Sequence, residues 1–145
     1  MHSARIPVLA FVDIETTGSN FERDRITEIG IKTLTNTEVI EWESLIDPET
    51  FIPQNIQRLT GITPDMVSGQ PTFEELALQF KEELEDKIFV AHNARFDSGF
   101  IASSLMMEGH HPQPIPMLID FYLGQVMPLS SFRYVSTLCD LVAFL

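Results

Sequence analysis

At 145 residues the chain holds one domain with a sizeable core and is too short for two ordinary ones. Hydrophobic residues make up 44% and aromatics 10%, a composition that folds and that excludes a disordered chain. The net charge of -12, from 21 acidic against 9 basic residues, argues against passive coating of nucleic acid through phosphate contacts. It is compatible with an enzyme that meets phosphates through bound divalent cations, which reverse the local sign.

In chain order, the apolar run Val-Leu-Ala-Phe-Val at 8–12 predicts a strand buried on both faces. Acids at Asp13 and Glu15 interrupt that run too early for a signal peptide or a membrane span, so a soluble, cytoplasmic protein is expected. Residues 26–34 and 38–46 read as two further strands joined by a hairpin turn at Thr35-Asn36-Thr37. After Asp47-Pro48 the pattern turns to short helical pieces, with Thr63 as an N-cap before Pro64 at the first helical position. Thr72-Phe73-Glu74-Glu75 is a capping box, and Phe73, Leu76, Ala77, Phe80 and Leu84 then share one helical face.

Residues 87–91 predict a fourth strand, and Asn93 is a candidate cap for a helix that runs to Glu108 and stops at Gly109. A Pro-rich loop at 110–116 leads to a short fifth strand at 117–119, followed by helical stretches near 121–127 and 132–145. The single cysteine, Cys139, excludes an internal disulfide and fits a reducing compartment. Strands first, then alternating helices and strands, predict an α/β fold in a single domain spanning 1–145.

Two strings carry chemistry. The first is Asp13-Ile14-Glu15-Thr16-Thr17-Gly18, directly after the first strand. Positions two apart on a strand point to the same face, so Asp13 and Glu15 present carboxylates side by side. Unpaired charges ~4 Å apart repel by about 4 kcal/mol at an effective dielectric of 20, and hard cations such as Mg²⁺ or Mn²⁺ relieve such clusters. A bare D-x-E is more often an ordinary strand end in solvent; the six-residue string shifts the balance. The second string is Ala91-His92-Asn93-Ala94-Arg95-Phe96-Asp97, where the fourth strand enters its helix. Alone it reads as an N-cap and a first-turn acid. If the fourth strand lies beside the first, Asp97 becomes a third carboxylate of the same site.

Together these strings resemble the DEDD-type 3′–5′ exonuclease superfamily, most closely its epsilon proofreading subunits of bacterial DNA polymerase III. D-x-E-T-T-G matches the first family motif and H-N-x-x-F-D the second, and the resemblance runs from about Pro7 to about Leu141. The segments Asp24 to Gly30 and Gln57 to Thr63 are also similar to epsilon-like proteins. The resemblance implies a ribonuclease-H-like fold, a five-stranded mixed sheet with helices on its faces. It assigns Asp13, Glu15 and Asp97 to catalysis and metal binding, with Asp97 acting largely through water. It places Thr16 and Thr17 near the 3′-terminal nucleotide, makes Asn93 and Phe96 buttresses of the second motif, and offers Ile62 as a wedge against the terminal bases. Two Mg²⁺ or Mn²⁺ ions are the implied cofactors. A nucleic-acid 3′ end, single-stranded DNA foremost, is the implied substrate, and a DNA polymerase or repair nuclease the implied partner.

The third family motif, a histidine with an aspartate five residues on, has no counterpart where it is expected. Beyond Phe121 the chain has one acidic residue, Asp140, and no histidine. His92 and Asp97 have the spacing but belong to the second motif, and His110 and His111 are followed at that distance by Ile115 and Pro116. The reading is therefore of a domain cut short before its last helix and last motif, whether by fragmentation, frameshift or decay. Its alternative function is a catalytically inactive nuclease-like module that docks on a polymerase or nuclease.

Overall fold

The computed structural model describes residues 7–110 and 118–120. The central strand, β1, runs Leu9–Thr16, longer than the apolar run alone predicts, because Asp13 and Glu15 continue the alternation on one face while Val12 and Ile14 continue it on the other. β2 (Ile26–Leu34) pairs antiparallel with β1, and β3 (Val39–Leu45) pairs antiparallel with β2. Thr35 closes the β2–β3 turn by accepting bonds from the Thr37 and Glu38 amides at 3.2 and 3.0 Å.

Three helices follow: α1 (Gln54–Thr60), α2 (Pro64–Val67) and α3 (Phe73–Leu84). Thr63 precedes Pro64 as expected, but its side chain makes no capping bond. The capping box of α3 is present, with the Glu75 carboxylate accepting from the Thr72 amide at 2.8 Å. β4 (Ile88–Ala91) then pairs parallel with β1, and α4 (Ala94–Met107) follows it. Gly109, at φ 74°, takes the left-handed conformation that stops the helix. β5 (Leu118–Asp120) is a short strand parallel to β4, one residue later than expected. The order across the mixed sheet is β3-β2-β1-β4-β5. The helical stretches expected at 121–127 and 132–145, most of the loop at 110–116, and Cys139 lie outside the described residues. Among the described residues no helix is long and apolar enough to cross a membrane.

The main core forms on one face of the sheet. Ala10, Val12 and Ile14 of β1, Ile29 and Ile31 of β2, and Phe89 and Ala91 of β4 meet Ala77 and Phe80 of α3 and Phe100, Ile101 and Leu105 of α4. Both long described helices thus pack on this face rather than being divided between the two. Phe73, Leu76 and Leu84 flank the contact, and Trp42 of β3 closes it against Phe80 at a ring separation of 6.1 Å. Phe80 and Phe100 are fully buried, and burying such a side chain contributes about 1.5–3 kcal/mol. The other face carries Phe11, Asp13 and Glu15, so the strand that anchors the core also presents the carboxylates.

Two hydroxyls of β2, Thr27 Oγ1 and Thr33 Oγ1, are buried without a hydrogen-bond partner. A buried unsatisfied polar group costs about 1–3 kcal/mol. Thr33→Val, which keeps the shape and removes the hydroxyl, is expected to raise the unfolding free energy by about 1 kcal/mol in a urea titration. A loss of comparable size would mean that the hydroxyl has a partner.

Candidate active site

β1 and β4 run side by side in parallel, so both deliver their carboxyl ends to one edge of the sheet, where open α/β sheets gather ligands. Asp13 and Glu15 project from the last part of β1. Asp97 lies in the first turn of α4, only 5% exposed. It accepts a hydrogen bond from the Ile14 amide and feels the charges of both Asp13 and Glu15. The parallel pairing of β1 and β4 is what brings the two motifs together.

The electrostatics follow from that crowding. Burial pushes the Asp97 carboxyl up to about 8, and the neighbouring charge of Asp13 adds to the effect; the Asp97 and Ile14 amides pull the other way. Burial likewise raises Asp13 to about 6, helped by the charge of Glu28 and opposed by the Ile14 amide and His92. Among the described residues no three His, Cys, Asp or Glu side chains form a ready-made metal cage. The donor set is nevertheless all oxygen and carries excess negative charge. It fits a hard cation of the Mg²⁺ type, which is commonly held by one or two carboxylates and completed by water and substrate phosphate.

The loop after β1 is built to hold its shape. The Thr17 amide donates to the Arg25 carbonyl at 2.8 Å, and the Arg25 amide donates back to the Thr17 hydroxyl at 3.0 Å. The Thr16 hydroxyl donates to the Gly18 carbonyl. Asp24 accepts from the Asn20 amide at 2.9 Å and from the Thr17 hydroxyl at 3.4 Å. Gly18 lies so close to the Asp24 carboxylate that a Cβ there would collide with it. Phe21 then pins the loop to α4. Its ring packs edge-on against Phe100 at 4.9 Å and meets Phe96 at 6.3 Å, while its carbonyl accepts from Ser103 at 2.8 Å. A Cβ on Gly99 would come within 2.8 Å of the same ring.

Several expected roles change in this light. Thr16 and Thr17 are buried, and their hydroxyls bond within the turn. Asn93 does stand at the N-cap of α4, but in a left-handed conformation (φ 50°, ψ 52°) with no side-chain capping bond. A left-handed N-cap cannot aim its side chain at the first-turn amides as an extended one does. Phe96 packs on Phe100 and against the core. Ile62 is 2% exposed, packed with Ile52 and Val67 in a second small core, so its side chain is not presented as a wedge. The exposed apolar side chain of that segment is Leu59. Glu28 and His92 act on Asp13 through their charges, although neither was assigned a role in the site. Pairing β1 with β2 in register would have revealed Glu28.

The family model of RNase T type, described as Exonuclease, matches residues 10–140. The PolC-type DNA polymerase III of Clostridium perfringens is 45% identical over 98 residues, 67% of this chain and 7% of that protein. Its counterpart in Halalkalibacterium halodurans is 35% identical over 144 residues, covering 95% of this chain and 10% of that protein. The 3′–5′ exonuclease DinG of Staphylococcus saprophyticus is 40% identical over 99 residues, 68% of this chain and 11% of that protein. The chain therefore spans roughly a tenth of the length of these relatives. Among solved structures, apo Exonuclease I superposes with a TM-score of 0.71 at 18% identity, over 80% of this chain and 29% of that one. A zinc-bound complex of E. coli Exonuclease I with single-stranded DNA also gives 0.71 at 18% identity, over 79% of this chain and 28% of that one. At that identity the likeness shows the fold, an α/β arrangement of mixed sheet and helices.

The raised carboxyls make stability depend on pH. The folded state keeps a proton on Asp97 up to about pH 8, whereas the ordinary value is 3.8, so the unfolded chain releases it earlier. Metal-free stability is thus fully present below about pH 4 and is lost as the pH rises toward 8; Asp13 contributes to the loss up to about pH 6. In EDTA, Asp97→Asn is expected to flatten the decline in melting temperature between pH 5 and 8 and to be the more stable protein at pH 8. A wild-type profile that is flat over this range would contradict the buried-carboxyl account.

Proposed function

The chain belongs to the RNase T family of exonucleases, within the DEDD 3′–5′ superfamily, and we propose that it acts on the 3′ end of single-stranded DNA in proofreading or repair. The observation that supports this reading is the approach of Asp13, Glu15 and Asp97 at the carboxyl edge of β1 and β4, where burial and neighbouring charge raise the carboxyls of Asp13 and Asp97. Such a cluster is costly to the fold by itself and is useful once a cation compensates it.

Asp13, Glu15 and Asp97 are the residues that would hold Mg²⁺ or Mn²⁺, two ions in the complete family site. When bound, such ions lower the pKa of water and neutralise charge developing on a phosphodiester. The chain's own groups do the rest. Asp13 and Glu15 are fixed by strand pairing, and Asp97 by the Ile14 amide and the start of α4. The loop at 17–25 follows directly on β1 and is held by its own hydrogen bonds. Gripping a terminal sugar and base without reading base edges gives specificity for an end rather than a sequence. DNA is favoured over RNA by the PolC-type and DinG relatives, which also make a polymerase or a repair nuclease the partner to test.

A second reading rests on the sequence beyond Phe121, where the histidine and aspartate of the third motif have no counterpart. On it, these 145 residues form a nuclease-like module that docks on such a partner and cuts slowly or not at all. General-base catalysis contributes about 10²–10⁴-fold, so a deficit of at least that size is expected for the chain assayed alone.

The test is digestion of a 3′-labelled single-stranded oligonucleotide in Mn²⁺, with Asp13→Ala alongside. Any turnover is expected to be slow and to fall by a further 10²-fold or so in Asp13→Ala, the equivalent of about 3 kcal/mol of lost charge stabilisation. Turnover that survives both EDTA and Asp13→Ala would overturn the assignment of the site. No turnover in either protein would favour the docking module.

A further inference from the structure

We propose that the outer edge of β3, over residues 39–43, takes up an extended segment of a partner polypeptide in which basic residues alternate with apolar ones, lengthening the sheet by one strand. Among the described residues β3 is the last strand on its side of the sheet, and most of it is exposed. The phase of the β2–β3 ladder is fixed at both ends. The Thr35 amide donates to the Glu38 carbonyl at 3.0 Å, and the Ile46 amide donates to the Thr27 carbonyl at 2.8 Å. Hydrogen-bonded and non-hydrogen-bonded positions alternate along an antiparallel pair. Ile40, Trp42 and Ser44 therefore bond to β2, and the amides and carbonyls of Val39, Glu41 and Glu43 point outward. Beyond Leu45 the edge is closed, because the Asp47 amide donates to the Pro71 carbonyl at 2.9 Å and Asp47 bridges to Thr72. The open stretch is a row of backbone donors and acceptors, the template on which an extended peptide adds as a strand.

Open edges are ordinarily blunted by lysine, proline or a bulge. β3 reads Val-Ile-Glu-Trp-Glu-Ser-Leu and has none of these; its register with β2 is unbroken, and Val39 and Ile40 are 48% and 46% exposed. The charge on the edge selects the occupant. Glu41 and Glu43 stand on one face of the strand, Ile40 and Trp42 on the other. Glu41 meets Lys32 of β2 at 2.8 Å, whereas Glu43 is opposed by Gly30 and forms no ion pair among the described residues. A second copy of this chain, paired antiparallel over the whole stretch, would set these glutamates against their own kind, and like charges so opposed are destabilising. Lysine or arginine opposite Glu41 and Glu43 is favourable instead. The residue between them then lies on the other face, beside Ile40 and Trp42, where an apolar side chain fits.

The experiment follows the fluorescence of Trp42, the chain's single tryptophan, as the full chain is titrated with a short synthetic peptide in which lysine alternates with valine. The same peptide N-methylated at its lysines keeps the charge and loses the amides that would face β3. A peptide of alternating glutamate and valine reverses the charge and keeps the amides. Glu43→Lys reverses one charge on the protein, and Val39→Pro removes an outward amide without a ladder bond. We expect saturable binding of the lysine–valine peptide, weakened about 10-fold by N-methylation and by either substitution, and none of the glutamate–valine peptide. Equal binding of the plain and N-methylated peptides would reduce the edge to a charged surface and overturn the proposal, whether or not the variants fold. An affinity in Val39→Pro or Glu43→Lys equal to that of wild type overturns it as well. So does a lysine–valine peptide that fails to bind, or self-association of the chain that Val39→Pro abolishes, which would make the occupant a second copy. Nuclease activity enters none of these readouts, so they stand apart from the reading of Asp13, Glu15 and Asp97.

Discussion

Desolvation of like charges is the constraint around which this structure is arranged. Asp13 and Asp97 are both pushed toward their neutral forms, one from the end of a strand and one from the start of a helix. Neither element can retreat from the encounter. β1 is the middle strand of the sheet, with its opposite face in the main core, and Asp97 is only three residues from Phe100, which is fully buried there. Moving the carboxylates apart would mean breaking the packing of Val12, Ile14 and Phe100. The core thus supplies the free energy that holds the acids together, as strained or frustrated sites generally require.

The surrounding loop has the complementary task of keeping that arrangement from relaxing. Residues 17–25 bond chiefly among themselves, through Thr17, Asn20, Asp24 and Arg25, and are then fastened to α4 by Phe21 and Ser103. The close approaches at Gly18 and Gly99 show how little space is left between the loop, Asp24 and the helix. This makes the T-T-G part of the first motif a structural device for the two acids that precede it. Its buried threonines hold a turn, and the turn decides where the strand ends.

Much of this was legible in the sequence, and the parts that were not share a cause. The capping box at Thr72, the strand at Ile26–Leu34 and the Gly109 stop are local rules, and they hold here because local chemistry decides them. The convergence of Asp13, Glu15 and Asp97 was conditional on one strand pairing, and that pairing exists. The corrections arise where tertiary context outranks local pattern. Ile62 follows a left-handed Gly61 that closes α1, and its side chain turns inward onto Ile52 and Val67. Asn93 takes a left-handed conformation because the chain must pass from β4 into α4 within two residues, and that geometry removes the cap its residue type favours. Glu28 went unmarked because its significance lies in cross-strand register, which no single segment displays.

The charge of the chain acquires a meaning from the same argument. A net charge of -12 repels a polyanion, and on the proposed reading Asp13, Glu15 and Asp97 repel it most where chemistry would occur. On the proposed reading, substrate and cation must therefore arrive together, and the domain has little intrinsic affinity with which to capture nucleic acid from solution. A nuclease of this kind works best when something else holds the strand. Tethering replaces affinity with effective concentration, which reaches the millimolar range for short linkers. In the PolC-type and DinG relatives the matching segment is roughly a tenth of a much longer protein, an arrangement in which the rest of the polypeptide can supply that concentration. If the proposed reading holds, weak binding is an advantage, because a domain that releases DNA readily tests the strand end without holding it back.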